Sequence, residues 1–115
     1  MEITERQRDG VTVLVVTGKL TKGESERMLR DRFVELRENG RMQIVVNLDG
    51  VPYIDSSGLG ELVRGYTAIR RAGGRLGLTH LNARIVDLLA ITKLSDIFET
   101  YPTDDDAVRT ITSVR

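Results

Sequence analysis

The sequence predicts one α/β domain built on a mixed, mostly parallel sheet of about five strands with four helices. Three observations support this prediction. The 115 residues are enough for one hydrophobic core and too few for two. The pair Asp9-Gly10, between two strand-like segments, indicates an opening antiparallel hairpin. Beyond the hairpin, strand-like and helix-like segments alternate, which is typical of parallel strands joined by right-handed crossovers.

The hairpin and the central strand are indicated by apolar runs. Residues 3–8 and 11–18 form the predicted hairpin, and the second segment, VTVLVVTG, is rich in β-branched residues. The continuous apolar run QIVVNL at 43–48 has the length of a strand. Such a run suits a central strand that is covered on both faces.

The first helix is predicted between these strands. Thr21 to Glu24 fits a capping box, so we expect Thr21 to cap the helix. The residues with one-face helical spacing are Leu29, Phe33 and Leu36. Asn39-Gly40 is a stop signal, and the helix is predicted to end there.

Two more helices and two more strands follow. An amphipathic helix is predicted after 53–58, with its apolar positions at Leu59, Leu62, Val63, Tyr66 and Ile69. Residues 75–79 are predicted to form a strand, and 97–101 a short last strand. Between them Asn82 is expected to cap a third helix. Its predicted core face contains Ile85, Leu88, Leu89 and Thr92.

A fourth helix closes the chain. Thr103 to Asp106 repeats the capping pattern, and the three carboxylates Asp104 to Asp106 suit the positive end of the helix dipole. The apolar side of this helix is predicted at Val108, Ile111 and Val114. The predicted order is therefore β-β-α-β-α-β-α-β-α.

Composition and charge exclude several classes of function. The 17 basic and 17 acidic residues cancel, so the chain lacks the basic excess of a nucleic-acid-binding protein, and no direct nucleic-acid partner is expected. The absence of cysteine excludes thiolate metal sites and a cysteine nucleophile, and the single histidine, His80, excludes a histidine-rich site. We therefore expect no metal and no cofactor.

The first ten residues, MEITERQRDG, are charged and lack the apolar stretch of a signal peptide. No apolar run approaches the ~20 residues that a membrane-spanning helix needs. These features predict a cytoplasmic protein without membrane insertion.

The segment YIDSSGLG at 53–60 carries the most specific chemical signal. Asp55 and Ser56 precede a helix whose free amides and dipole attract an anion, so a serine there is a natural phosphate site. A phosphate adds about −1.5 to −2 charges. Gly58 and Gly60 lack Cβ atoms and would allow another backbone or protein surface to approach. Because Asp and Ser are also preferred N-caps, a purely structural role is the alternative.

The longer string VPYIDSSGLGEL resembles the signature of the STAS domain, specifically that of the anti-sigma factor antagonists. The likeness covers nearly the whole chain. It includes VLVVTGKL and IVVNLDGV before the motif, and GGRLGLTHLNARIVDLLAITKLSDIF after it. The resemblance implies that 1–115 forms a single domain with the STAS fold.

The resemblance also implies a partner-switching function. In this family a serine kinase, which is a histidine-kinase-like ATPase, also acts as the anti-sigma factor. The unphosphorylated antagonist binds that kinase and releases the sigma factor, phosphorylation of a serine ends the binding, and a serine phosphatase restores it. By resemblance the phosphoacceptor is Ser56, with Ser57 as second choice, and Asp55 and Gly58 complete the phosphosite loop.

The partner-binding residues expected from the resemblance surround the motif. They are Thr21, Ser57, Leu59, Gly60, Glu61 and Arg64. Leu59 is expected to offer an apolar contact, and Glu61 and Arg64 to lie on the exposed side of the helix as rim charges.

The chain departs from the family pattern in the loop after the second strand. That loop usually reads G-x-L-D, and here it reads Gly18-Lys19-Leu20-Thr21, so the acid is replaced by an uncharged residue. Lys19 and Lys22 make the loop more basic, which would favour a phosphate or an acidic partner surface, or would simply place two solvated lysines there.

Two other functions are alternatives to this one. A serine hydrolase would need His80 as its base, and SSGLG is not the G-x-S-x-G nucleophile elbow, so no enzymatic activity is expected. STAS domains also serve as accessory or scaffold subunits, in lipid-transport ATPases or stress-sensing complexes, without a phosphoswitch. The intact D-S-S-G motif favours the antagonist over this alternative.

Overall fold

The computed structural model describes residues 1–113, so the predicted core position Val114 lies outside the described residues. The predicted order of strands and helices is confirmed. In chain order the elements are β1 (Glu2–Arg8), β2 (Val11–Thr17), α1 (Glu24–Glu38), β3 (Gln43–Gly50), α2 (Ser56–Arg71), β4 (Arg75–Thr79), α3 (Ala83–Ile91), β5 (Glu99–Tyr101) and α4 (Asp104–Ser113).

The five strands form one sheet in the order β1-β2-β3-β4-β5. β1 pairs with β2 in antiparallel orientation, and every later pair is parallel. The hairpin turn has positive φ at both Asp9 (52°) and Gly10 (83°), which matches the twist of the flanking strands. The mixed, mostly parallel sheet predicted from the sequence is therefore confirmed.

The helices cover the sheet unequally. α1, α2 and α3 pack on one face over a large aliphatic core, while α4 alone covers the opposite face. β3 lies at the centre and alternates between the two layers, since Ile44, Val46 and Leu48 belong to the larger core and Val45 to the smaller one. Its continuous apolar sequence follows from this burial on both faces.

The start of α1 differs from the prediction. The helix begins at Glu24, and its cap is Gly23, whose N–H donates to Glu26 Oε1 at 3.3 Å. The predicted cap Thr21 is wrong. Its backbone N–H donates instead to Ser25 Oγ at 2.8 Å, and the chain enters the helix through Gly23 at φ 109°, a conformation that favours glycine.

The region of α3 confirms one prediction and corrects two. Asn82 Oδ1 caps the helix by accepting from the Ile85 N–H at 2.9 Å. Thr92 is an exposed C-cap and not a core residue. β5 is shorter than 97–101, because the backbone around Ile97 forms a turn on the Leu94 carbonyl and leaves Ile97 47% exposed.

Among the described residues, no helix is both long enough and apolar enough to cross a membrane.

Candidate functional site

Two loops at one edge of the sheet build the site. One follows β2 and the other follows β3, and they meet because the two strands are parallel neighbours. Backbone hydrogen bonds join them: the Leu20 N–H donates to the Tyr53 carbonyl at 3.0 Å, and the Asp55 N–H donates to the Leu20 carbonyl at 3.2 Å. The D-S-S-G motif is thereby held against the loop that contains Thr21.

Asp55 connects this loop pair to α2. Its Oδ1 accepts from the Gly58 N–H at 2.8 Å, which caps the helix, and its Oδ2 accepts from the Lys22 N–H at 2.9 Å. The backbone amide of Lys22, and then that of Gly58, lower the pKa of the Asp55 carboxyl below its usual value. The carboxyl of Asp55 is therefore held in its charged form, and the loop that contains Thr21 binds it through the Lys22 backbone N–H.

Gly58 allows the two loops to approach closely. A Cβ built at this position would lie 2.3 Å from the Leu20 carbonyl oxygen, far inside any real contact. At Gly60, by contrast, a Cβ would meet nothing within 4 Å. The approach expected at Gly58 is thus made by the chain's own backbone, whereas Gly60 leaves open space at the surface.

Ser56 is exposed at the first position of α2, and Ser57 beside it is half-buried. Among the described residues, no side-chain hydrogen bond involves either hydroxyl. The first turn of α2 carries no acidic residue. The Ser56 hydroxyl is therefore accessible at the positive end of a helix dipole, with Asp55 directly before it.

Two predicted surface residues are buried. Leu59 is 6% exposed and belongs to the core, which confirms its predicted place on the apolar face of the helix but not as an accessible contact. Glu61 is 2% exposed, so its expected place on the exposed side is wrong. Glu61 Oε1 accepts from Arg30 Nε at 3.0 Å and lies 3.7 Å from Arg64 Nε. The reason is that α1 packs beside α2 and covers this flank. Arg64 is exposed as predicted, at 58% of its side chain, and it lies on this α1 side.

A groove between the motif loop and α3 lies next to the phosphosite. This Ser56 groove is lined by Tyr53 and Ser56 on one side and by Arg84, Leu88 and Ile91 on the other. Tyr53 is 41% exposed and Ile91 is 79% exposed. Asn82 holds α3 in place, since its Nδ2 donates to the Val51 carbonyl at 3.1 Å.

Sequence reasoning missed the α3 side of this groove. Only one signal could have indicated it: Ile91 is a large apolar residue that does not share the buried face of Ile85 and Leu89. The proximity of α3 to the motif depends on tertiary packing.

His80 does not join the serines. Its Nε2 lies 4.0 Å from Asp104 Oδ1, and it lines a separate depression with Thr100 and Pro102. Among the described residues, no hydrogen bond links His80 to Ser56 or Ser57. Within residues 1–113, His80 is therefore not placed as the base that a serine hydrolase needs within hydrogen-bond reach of its nucleophile.

Residues 1–113 contain no group of three or more His, Cys, Asp or Glu side chains that could hold a metal ion. The acids near the motif therefore do not form a site of that kind.

Comparison with known proteins assigns the family. The family model of the STAS domain matches residues 2–107. An anti-sigma-B factor antagonist from Bacillus subtilis is 34% identical over 82 residues, which cover 71% of this chain and 74% of the relative. An anti-sigma F factor antagonist from Paenibacillus polymyxa is 28% identical over 116 residues, covering 99% and 95%.

Solved structures share the fold. A Thermotoga maritima protein superposes with a TM-score of 0.90 at 26% identity, over 96% of this chain and 94% of that one. The Bacillus anti-sigma factor antagonist SpoIIAA in its phosphorylated form gives 0.74 at 16% identity, covering 96% and 99%. Its unphosphorylated form gives 0.76 at 15% identity, covering 98% and 100%. With its sheet order and its D-S-S-G loop, the chain belongs to the STAS domain family, among the anti-sigma factor antagonists.

Proposed function

We propose that the chain is a phosphorylation-controlled binding protein whose unphosphorylated form binds an anti-sigma serine kinase and thereby releases a sigma factor. The observation that carries the proposal is the exposed Ser56 hydroxyl at the start of α2, beside an apolar groove. SpoIIAA, a structural neighbour, exists in phosphorylated and unphosphorylated forms, which supports a switch of this kind here.

Ser56 is the proposed phosphoacceptor. It is more exposed than Ser57, so a kinase can reach its hydroxyl without displacing α2. A histidine-kinase-like ATPase would supply the phosphate, and a serine phosphatase would remove it. The protein itself contributes a positioned hydroxyl, and no residue of the chain is assigned a catalytic role.

The Ser56 groove is the proposed docking surface for the kinase. It combines exposed apolar groups of Tyr53 and Ile91 with the opposite charges of Arg84 and Asp87, as specific interfaces combine an apolar centre with a charged rim. Ser57 and Gly60 extend this surface along α2, and Thr21 lies in the adjoining loop.

Phosphorylation would act through local charge. The helix dipole stabilises a phosphate at Ser56, so the fold survives the modification. The new charge lies beside the carboxylate of Asp55, which stays ionised because two backbone amides donate to it. A partner surface shaped for a neutral hydroxyl would then face two adjacent negative groups, and binding would weaken by repulsion and desolvation.

The test compares wild type with Ser56→Asp, Ser56→Ala and the matched control Ser57→Ala. Each variant is incubated with ATP and the histidine-kinase-like ATPase purified from the source cells, and the phosphate is located by mass spectrometry. We expect phosphate in wild type and Ser57→Ala and none in Ser56→Ala. Phosphate that persists in Ser56→Ala would move the site to Ser57 or elsewhere.

Binding is measured with the same kinase by calorimetry. Ser56→Ala should bind like wild type, whereas Ser56→Asp should bind more weakly while its unfolding free energy stays within ~1 kcal/mol of wild type. Equal binding by Ser56→Asp would overturn the phosphoswitch in favour of an accessory-subunit role. Unfolding of Ser56→Asp would contradict the local mechanism.

A further inference from the structure

A second groove lies between α1 and α2, on the flank of α2 that faces away from α3. This α1–α2 groove is lined on α1 by Arg30, Phe33, Val34 and Arg37, and on α2 by Glu61, Arg64, Gly65 and Ala68. It shares no lining residue with the Ser56 groove. The groove is therefore separate from the proposed kinase-docking surface, although Glu61 and Arg64, which the resemblance assigns to partner binding, lie in it.

The geometry of this groove suits a helix. These four residues of each helix have the spacing i, i+3, i+4, i+7, and the buried Ile69 also lines the α2 side, so two helical stripes border the same channel. Seven residues of helix extend ~10 Å, which is long enough for two turns of a third helix. Gly65 brings the two helices together, because a Cβ there would lie 2.4 Å from the Phe33 ring.

The floor of the groove is apolar and partly open. It consists of the Phe33 ring edge, Val34 and Ala68, and Val34 is 36% exposed. Grooves of this kind accept the apolar face of an amphipathic helix, which presents side chains at the matching spacing.

The rim of the groove is basic, although the whole chain is neutral. Arg30 and Arg64 are 41% and 58% exposed, and Arg37 is exposed and forms no ion pair within residues 1–113. The single carboxylate of the groove, Glu61, is 2% exposed and lies beneath Arg30. Arg30 also lies 4.0 Å from Glu26, and Arg64 lies 3.7 Å from Glu61, so these two cations are partly neutralised and Arg37 is not. The three guanidinium groups outnumber the two carboxylates, and the complementary ligand therefore carries negative charge.

We propose that the α1–α2 groove is a second docking surface, which binds an amphipathic helix with an apolar stripe and acidic flanks from a partner protein. The apolar stripe occupies the channel over Phe33 and Val34, and the flanking carboxylates pair with Arg37 and Arg64. Because the two grooves lie on opposite flanks of α2, binding here is independent of the phosphorylation state of Ser56.

The test uses a fluorescein-labelled synthetic helix of ~18 residues with Leu at i, i+3, i+4 and i+7 and Glu on both flanks. Binding is followed by fluorescence anisotropy and mapped by amide chemical shifts. We expect saturable binding, shifts confined to the facing stripes of α1 and α2, and weakening as salt rises from about 0.05 M to about 0.5 M. A peptide with Lys in place of Glu should not bind.

Variants decide whether the groove is responsible. Arg37→Glu should weaken binding about tenfold, since it reverses a rim charge. Arg27→Glu, the same change at an exposed position of α1 outside the groove, should leave binding unchanged. Ser56→Asp should also leave it unchanged, which separates this result from the fate of the phosphoswitch.

Several results would overturn the proposal. They are the absence of saturable binding, equal weakening by Arg27→Glu, and chemical shifts that map to the Ser56 groove. A dimer seen by analytical ultracentrifugation and disrupted by Val34→Glu would assign the groove to a second copy of the chain, and would overturn it as well.

Discussion

Two glycines of α2, separated by one residue, should respond in opposite directions to the same substitution. At Gly58 an added Cβ would lie 2.3 Å from the Leu20 carbonyl oxygen and 2.9 Å from the Leu20 carbonyl carbon. Because these are backbone atoms tied into the loop by hydrogen bonds to Tyr53 and Asp55, they cannot swing aside as a flexible side chain would. Overpacking of this kind costs about 1–3 kcal/mol.

Gly60 is the matched control. Its Cβ would meet nothing within 4 Å, so Gly60→Ala only gains the helix propensity that alanine has over glycine, about 1 kcal/mol. Because both glycines lie in α2, the propensity gain applies to both variants, and they should differ in unfolding free energy by the overpacking cost of ~1–3 kcal/mol, with wild type between them. Thermal midpoints should move in opposite directions by roughly 4 °C per kcal/mol.

The assay is urea unfolding followed by circular dichroism, with thermal melting as a second measurement. A lower midpoint for Gly58→Ala at an unchanged slope would show lost native stability, as expected. If Gly58→Ala proved as stable as Gly60→Ala, the close approach of the Leu20 loop to α2, and with it the geometry of the phosphosite, would be refuted.

Three further predictions concern titratable groups. Asp104 is buried and accepts hydrogen bonds from Asn47 Nδ2 at 2.8 Å and Thr79 Oγ1 at 2.6 Å. Asp104→Ala should therefore lower the free energy of unfolding in urea by about 3 kcal/mol, against at most ~1 kcal/mol for Asp105→Ala at an exposed position. Equal losses would contradict the buried network. Because the folded-state pKa of Asp55 lies below the usual 3.8, its contribution to stability is present above that pH and lost below it. The stability advantage of wild type over Asp55→Ala should shrink as pH falls through this range. A difference that stays constant with pH would refute the two hydrogen bonds from backbone amides to Asp55. Burial, and then the hydrogen bond to Glu99, raise the pKa of Tyr101 to about 12. Tyr101→Phe should therefore remove a step near that pH from the ultraviolet titration curve. A step that persists in Tyr101→Phe would contradict its assignment to Tyr101.

Elements governed by local chemistry were predictable from the sequence. Asp9-Gly10 forms the hairpin turn because both residues tolerate positive φ, and Asn82 caps α3 through a bond to an amide three residues later. The prediction of the α1 cap failed although it also rested on a local sequence pattern. Thr21 and Glu24 match a capping box, but the neighbouring Gly23 turns the chain, and the cap forms there instead.

The candidate site was predictable only as a position along the chain. The motif indicated where a phosphate could be held, since the free amides at the start of a helix attract an anion. The exposure of its residues was not predictable, because Glu61 is buried by Arg30 from a helix 31 residues earlier. Helical periodicity identifies an apolar face, but it does not show which flank a second helix covers.

By itself the sequence determined the order of elements and the family, because each depends on short-range pattern. It placed the second helix after the motif, whereas α2 begins within the motif at Ser56. Only the tertiary structure decided the geometry of the site. The parallel pairing of β2 and β3 brings the Lys22 amide onto Asp55, 33 residues away. Packing of α1 against α2 creates one groove, and the approach of α3 to the motif segment creates the other. These contacts join residues that are distant along the chain, so the local conformational preferences of each segment do not predict them.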